Sequence, residues 1–424
     1  MGRIAVLVFA LLVVVGTARA QGREQRTLRD VGEQTVAHGG QHWPVVELMT
    51  MGVGSLIWER HGHIALCIAY ENPDADACYN YGVADFGHPL AMAGGFLRGT
   101  RSFWVEKEAP RRMLSGYLQS DRTVWVQPLP LDDAQKKQVI AKLEHDILRE
   151  NRYYAYSHFS DNCTTRVRDI IDNATHHALS TMNAPAGDKT FRDLAREGFY
   201  GLGHHVPLLA TDFVMGRVTD RVPTYFERMF LPDYLREAVV KKWGIQPVAI
   251  YVRTECRAST TPGCADRGAP YQSPASGRIW LLLIALVLTA PSWATRLWGR
   301  LQRTGMAIAV MPYALLGSAL WALAILSPLP YLRWNENCLV FVPADILLVW
   351  WLTPERRRAY ARFRVGMLAV MAGLLVAGVL EQPLGAMLLW PLVPNAVAAV
   401  WPPAERRGQR GPRSASGPVE RSTK

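Results

Sequence analysis

From residue 279 onward the chain is built of apolar runs: roughly Ile279–Thr295, Met306–Ser327, Cys338–Leu352, Val365–Leu380 and Leu384–Trp401. Several fall short of the ~20 residues that cross a bilayer unaided, so the connecting stretches decide the matter. Arg296, Arg300 and Arg303 follow the first run, while Pro328–Asn337 holds one Arg and one Glu. Arg356, Arg357, Arg358, Arg362 and Arg364 follow the third, and only Glu381-Gln382-Pro383 follows the fourth. The tail carries Arg406, Arg407, Arg410, Arg413, Arg421 and Lys424. Basic and charge-poor connections alternate, as the cytoplasmic bias of Lys and Arg requires of five spans that begin outside.

The start of the chain agrees. Arg3, an apolar run from Ile4 to Val15 and Ala18-Arg19-Ala20 have the layout of a secretory signal peptide cut after Ala20; an uncleaved anchor helix exports the next segment equally well. Residues 21–277 carry 29 Lys/Arg against 30 Asp/Glu, and residues 278–424 carry 16 against 6. The formal charge of +11 therefore belongs to the membrane half. A nucleic-acid-binding domain needs positive charge on its own folded surface, so that class of partner is excluded. The expected organisation is a signal peptide (1–20), an exported domain (21–255), a juxtamembrane linker (256–278), an integral membrane domain (279–402) and a basic cytoplasmic tail (403–424).

Six cysteines suit an oxidising compartment. Cys256 and Cys264 bracket a short Pro/Gly/Ser/Thr loop and can pair; Cys67 and Cys78 flank the turn-like Glu71–Asp76 and can pair across a hairpin. Cys163 and Cys338 are left over, and a leftover thiol is a candidate for reactivity. No pair of CxxC knuckles, no phosphate-cradling glycine loop and no repeat stands out, so neither a metal nor a cofactor is expected. The His pairs at 176–177 and 204–205 read as loop residues.

Residues 63–70, HIALCIAY, read as a buried strand with His63, Ala65, Cys67 and Ala69 on one face. A second strand, Cys78–Gly82, follows a turn rich in Asn, Pro and Asp. If Cys67 faces Cys78, Ala65 faces Asn80, and Asn80 lies diagonal to His63 within reach of its imidazole. Further along, Asp161 or Asn162 can cap a helix whose buried face is Val167, Ile170 and Ile171. Cys163 then sits in the first turn, where the helix dipole and open N–H groups favour a thiolate. Those N–H groups, around Asn162 and Thr164, can also hold a developing oxyanion. A thiolate with a strand histidine to move protons is the nucleophile–base arrangement of cysteine acyl chemistry.

The succession GHIAL, YNYG, DFG, GGFLRGT, NRYYAYSHFSDNCTTRVRD, FRDL, DFVMG and FLPDYL resembles the bacterial Lnb-type lipoprotein N-acyltransferases. The resemblance covers most of residues 45–240. It implies an α+β, circularly permuted papain-like (NlpC-type) periplasmic domain followed by an all-α domain of five transmembrane helices. It also implies residence in the bacterial inner membrane, with Cys163 as nucleophile and His63 as base; Asn80, placed by the hairpin register, would orient that base. Membrane phospholipid would be the acyl donor and a lipoprotein N-terminus the acceptor. The residues before Gly62, Trp58-Glu59-Arg60-His61, depart from the expected Phe-Gly-His, which makes His61 a rival base. The alternatives are a cysteine hydrolase of the same fold, acting on peptidoglycan peptides or lipid esters, and a non-catalytic membrane-anchored binding module. Asp345, inside an apolar run, is a candidate functional acid unless a kink at Pro343 exposes it. Arg192 could hold a lipid phosphate or lie exposed on a helix. The amphipathic Pro232–Trp243 is expected to pack on the domain core.

Overall fold

The computed structural model describes residues 27–185, 187–199, 205–258, 264, 275–297, 302–350 and 352–400. The expected signal peptide and basic tail, His204 and most of the linker lie outside the described residues.

The N-terminal half is a mixed α+β domain around a seven-stranded sheet in the order β6-β4-β3-β2-β1-β5-β7. The strands are β1 (Val45–Met51), β2 (His63–Ala69), β3 (Ala77–Val83), β4 (Phe103–Glu108), β5 (Val124–Pro128), β6 (Tyr153–Tyr154) and β7 (Val248–Tyr251). Every neighbouring pair is antiparallel. The helices are α1 (Leu28–Gly39), α2 (Pro89–Leu97), α3 (Pro110–Gln119), α4 (Asp133–Asp146), α5 (Cys163–Ala174), α6 (Phe191–Arg196), α7 (His205–Val214), α8 (Tyr225–Arg228) and α9 (Pro232–Trp243).

Side-chain alternation along the strands separates two apolar layers. Ile64, Leu66 and Ile68 of β2 join Tyr79 and Tyr81 of β3 against Val139 of α4, Val167 and Ile171 of α5, and Leu235 and Val239 of α9. Ala65 and Cys67 turn the other way, with Met49 and Met51 of β1, onto Leu28 and Val31 of α1 and Met113 of α3. Pro232–Trp243 thus packs on the core, as its pattern implies. The β2–β3 register places Cys67 opposite Cys78 and Leu66 opposite Tyr79. Disulfides join Cys67 to Cys78 and Cys256 to Cys264, while Cys163 and Cys338 are free and buried.

The second half is helical but not five plain helices. Gln302–Leu326 and Pro354–Val376 are long and apolar enough to cross a membrane; the apolar stretches Ile279–Thr295 and Gly385–Ala399 are shorter. The expected third span, Cys338–Leu352, is not one helix. It is a single turn at Asn337–Val340 followed by a 3-10 stretch at Pro343–Leu348. Pro343 opens the 3-10 stretch, a first-turn position where its missing N–H forfeits no bond. Arg356–Arg364, expected as a connection, instead form the first turns of the helix Pro354–Val376. Thr353 caps that helix and Pro354 opens it.

Asp345 is fully buried and structural. It accepts a forked pair of bonds from Arg364 (2.7 and 3.0 Å) and one from Tyr360 Oη (2.7 Å), tying the broken segment to the following helix. Arg192 is neither exposed nor open to a lipid phosphate. It is 2 % exposed, pairs with both carboxylate oxygens of Asp220 and donates to the carbonyls of Thr211 and Met215. It anchors the loop after α7.

Candidate active site

Three neighbouring elements build the site. The α5 N-terminus is closed by a reciprocal cap: Asn162 Oδ1 accepts from the Thr165 N–H, and Thr165 Oγ1 accepts from the Asn162 N–H, both at 2.8 Å. Asn162 Nδ2 also donates to the carbonyls of His158 and Phe230, at 2.7 and 2.9 Å. This corrects the expectation that Asn162 itself serves an oxyanion: its donors are spent on holding the turn. What the first turn offers is the N–H pair of Cys163 and Thr164, which have no partner four residues back in the helix.

Cys163 is the first helical residue, 8 % exposed, with Thr164 Oγ1 3.8 Å from its sulfur. It lies against β3 where a bulge between Tyr81 and Val83 interrupts the ladder. Gly82, at the bulge, has φ +86°, and a Cβ there would lie 3.4 Å from Cys163 Cβ. Glycine is needed for that backbone conformation, while the Cβ contact itself would be an ordinary one.

His63, the first residue of β2, brings its imidazole to this thiol. Its Nε2 lies 2.6 Å from Asn80 Oδ1 on β3, and the ring and the Cys163 thiol are near enough for each to shift the other's titration. With Nε2 taken by Asn80, Nδ1 is the nitrogen left for sulfur. The diagonal placement of Asn80 relative to His63 is the one that the Cys67–Cys78 pairing implies. His61 packs its ring 5.1 Å from His158 and 5.5 Å from Phe199.

Burial alone would raise the Cys163 thiol. The His63 charge, the hydrogen bonds from His63 and Thr164, and the Ile64 backbone N–H together bring it below its ordinary value. Burial likewise lowers His63, but Cys163 and the hydrogen bond to Asn80 outweigh it and hold the imidazole above its ordinary value. Both directions favour one state, a thiolate beside an imidazolium.

Several neighbours carry no signal in linear sequence. Glu108, at the end of β4, accepts from Asn80 Nδ2 at 3.4 Å. Tyr117 of α3 lies nearly parallel to the His63 ring at 6.2 Å, and Arg122 stacks over Tyr117 at 4.8 Å. Tyr154 and Tyr156 close around Gly82, each 3.8 Å from where its Cβ would stand. The tyrosines at 154 and 156 belong to the aromatic run ahead of the nucleophile, which was the available hint. Glu108, Tyr117 and Arg122 reach the site only through the fold. Among the described residues, no cluster of His, Cys, Asp and Glu is arranged to hold a metal ion.

No curated protein and no solved structure matches the chain. One family model does: residues 42–197, the stretch containing His63, Asn80 and Cys163, match the Lnb N-terminal periplasmic domain.

Proposed function

We propose that this protein is a membrane-bound thiol acyltransferase on a permuted papain-like scaffold, moving a fatty acyl chain from phospholipid to the N-terminal amine of lipoproteins. The observation that carries the reading is the buried Cys163 at a helix N-terminus, electrostatically coupled to a histidine whose Nε2 sits 2.6 Å from Asn80. The order of these residues, histidine strand before nucleophile helix, supports the permuted arrangement. The domain would face the periplasm, the membrane half would lie in the inner membrane and the tail in the cytoplasm.

The Cys163 thiolate attacks the ester carbonyl carbon of the donor. The resulting oxyanion lies against the N–H groups of Cys163 and Thr164. Collapse breaks the ester C–O bond, and the His63 imidazolium gives its proton to the departing alkoxide, leaving lysophospholipid and an acyl-thioester. In the second half the acceptor amine attacks the thioester carbonyl and neutral His63 takes the amine proton. The thiolate leaves, an amide forms, and thiolate and imidazolium are restored. Asn80 holds the ring with Nδ1 toward sulfur throughout. Tethering by the membrane half keeps donor and catalyst in one plane, where effective concentration takes the place of affinity.

The test is intact mass after incubation with phospholipid. Wild type should gain one acyl chain removable by neutral hydroxylamine, and Cys163→Ala should gain none. A diacylglyceryl-cysteine peptide should then discharge the label onto its amine. Drainage to free fatty acid at the same rate with and without peptide would make the protein a hydrolase. Absence of any label in wild type would leave a binding module.

A further inference from the structure

The exported domain carries an apolar surface that its own fold does not cover. Leu56 and Ile57 are about half exposed, and Leu90 is 89 % exposed. Trp58 and Phe86, stacked at 5.3 Å, join the two segments while remaining 38 % exposed each. The helix that follows, α2, contains no charged residue from Pro89 to Leu97, and Pro89, Leu90, Ala91 and Ala93 all face outward. A soluble helix normally turns a polar face to water; α2 has none to turn.

The position of α2 says what covers it. The helix Gln302–Leu326 ends at residue 326, and the next residue, Ser327, donates from Oγ to the Leu97 carbonyl at the end of α2. A Cβ on Gly99 would collide with Pro328, and Phe96 and Leu97 pack against Leu329, Tyr331 and Leu332. The surface is therefore continuous with the point where a membrane-crossing helix emerges. Leu326, one residue earlier, is itself 77 % exposed, and Trp334, in the same connection, is an exposed aromatic of the kind that marks a membrane–water boundary. The thiol is close by. Tyr156, beside Gly82 and Cys163, packs 6.0 Å from Phe96, and Phe159, four residues before the nucleophile, packs 5.1 Å from Tyr331.

We infer that Leu56, Ile57, Trp58, Phe86 and Leu90 dip into the outer-leaflet acyl region of the bilayer that carries the protein, forming a lipid-facing rim next to Cys163. The contact itself rests on the membrane attachment of the chain; only the delivery of lipid esters from this rim to the thiol rests on the acyl-transfer reading.

The experiment uses the full chain with Cys163→Ala in nanodiscs of phosphatidylethanolamine and phosphatidylglycerol, doped with a phospholipid bearing a diazirine in its acyl chain. Because Cys163→Ala is inert under the acyl-transfer reading, labelling reports contact and not chemistry. After photolysis, peptides containing 56–58 and 86–92 should carry label together with those from Gln302–Leu326, and peptides from the polar outer face of α4 should not. Ile57→Asp with Leu90→Asp, made at exposed positions, should weaken labelling of both segments about tenfold, an aspartate being far costlier among acyl chains than either residue it replaces. In the background that retains Cys163, the same pair should leave alkylation of that thiol by iodoacetamide unchanged. Labelling of Gln302–Leu326 without labelling of 56–58 and 86–92 would overturn the inference. So would labelling of those segments that a lipoprotein peptide abolishes, since the surface would then be a protein-docking face.

Discussion

Asn80→Ala isolates the one contact that orients the base. In the thiolate–imidazolium state, His63 Nε2–H donates to Asn80 Oδ1 at 2.6 Å. A hydrogen bond to a charged group contributes about 1.5–3 kcal/mol, and each 1.4 kcal/mol is a factor of about ten. The neutral ring keeps the same bond at about 0.5–1.5 kcal/mol, so removing it should shift the balance from thiolate–imidazolium toward thiol–imidazole by the difference, roughly five- to tenfold. The direction with pH follows. Asn80 supports the charged ring, so its loss lets His63 give up its proton at lower pH. The thiol then loses the neighbouring charge that opposes its burial and moves up. Alkylation of Cys163 by iodoacetamide, resolved by peptide mass to separate it from Cys338, should slow near neutrality by up to that factor. Its pH curve should move toward alkali. Asn80 is only part-buried, midway along β3, so the variant should fold; a melting curve checks this. An unchanged pH curve in a folded variant would refute Asn80 as the positioning residue and the ion-pair description with it.

Replacing His63 by Ala should slow acyl-enzyme formation by roughly 10²–10⁴; His61→Ala should do far less, because it is His63 that bonds Asn80 and couples to the Cys163 thiol. Arg364→Ala strands the fully buried Asp345 and should cost about 3–5 kcal/mol, read as a lowered Tm in detergent, with Asp345→Leu/Arg364→Met recovering most of it. Reporter fusions in 328–337 should give an exterior signal and those in 296–305 and the tail a cytoplasmic one; an exterior tail would break the alternation on which the topology rests.

The pairing of His63 with Asn80 was legible because three local signals agreed: alternation along HIALCIAY, a turn at Glu71–Asp76 and two cysteines that can face each other in only one register. The first-turn position of Cys163 was legible because capping chemistry is local, although that same chemistry removes Asn162 from the oxyanion role assigned to it. What stayed hidden depends on distance along the chain. Arg192 reads as an ordinary helix arginine until Asp220 and the Thr211–Met215 carbonyls fold around it. Glu108 becomes a neighbour of Asn80 only through the β3–β4 register. The broken third segment was missed for a different reason. Average hydropathy over Cys338–Leu352 is that of a span, and neither a proline nor the need to bring Asp345 to Arg364 enters such an average.

The two halves are joined by more than the covalent connection between them. Asn335 and Asn337 donate their side-chain amides to the carbonyls of Phe213 and Asp212 at 2.7 and 2.9 Å, and Gln382 donates to Met215 at 2.7 Å. The backbones of Gly216 and Arg217 bond to Tyr331 and Trp334. A Cβ on Gly216 would stand 2.7 Å from the Trp334 carbonyl oxygen, so even this approach is set by a missing side chain. At about 0.5–1.5 kcal/mol each, such bonds make a joint and not a leash. The thiol is thereby held at one height, as on a depth gauge. Under the acyl-transfer reading, which bond of a membrane-embedded molecule it can reach is then decided by how deep that bond lies, before its chemistry is read at all.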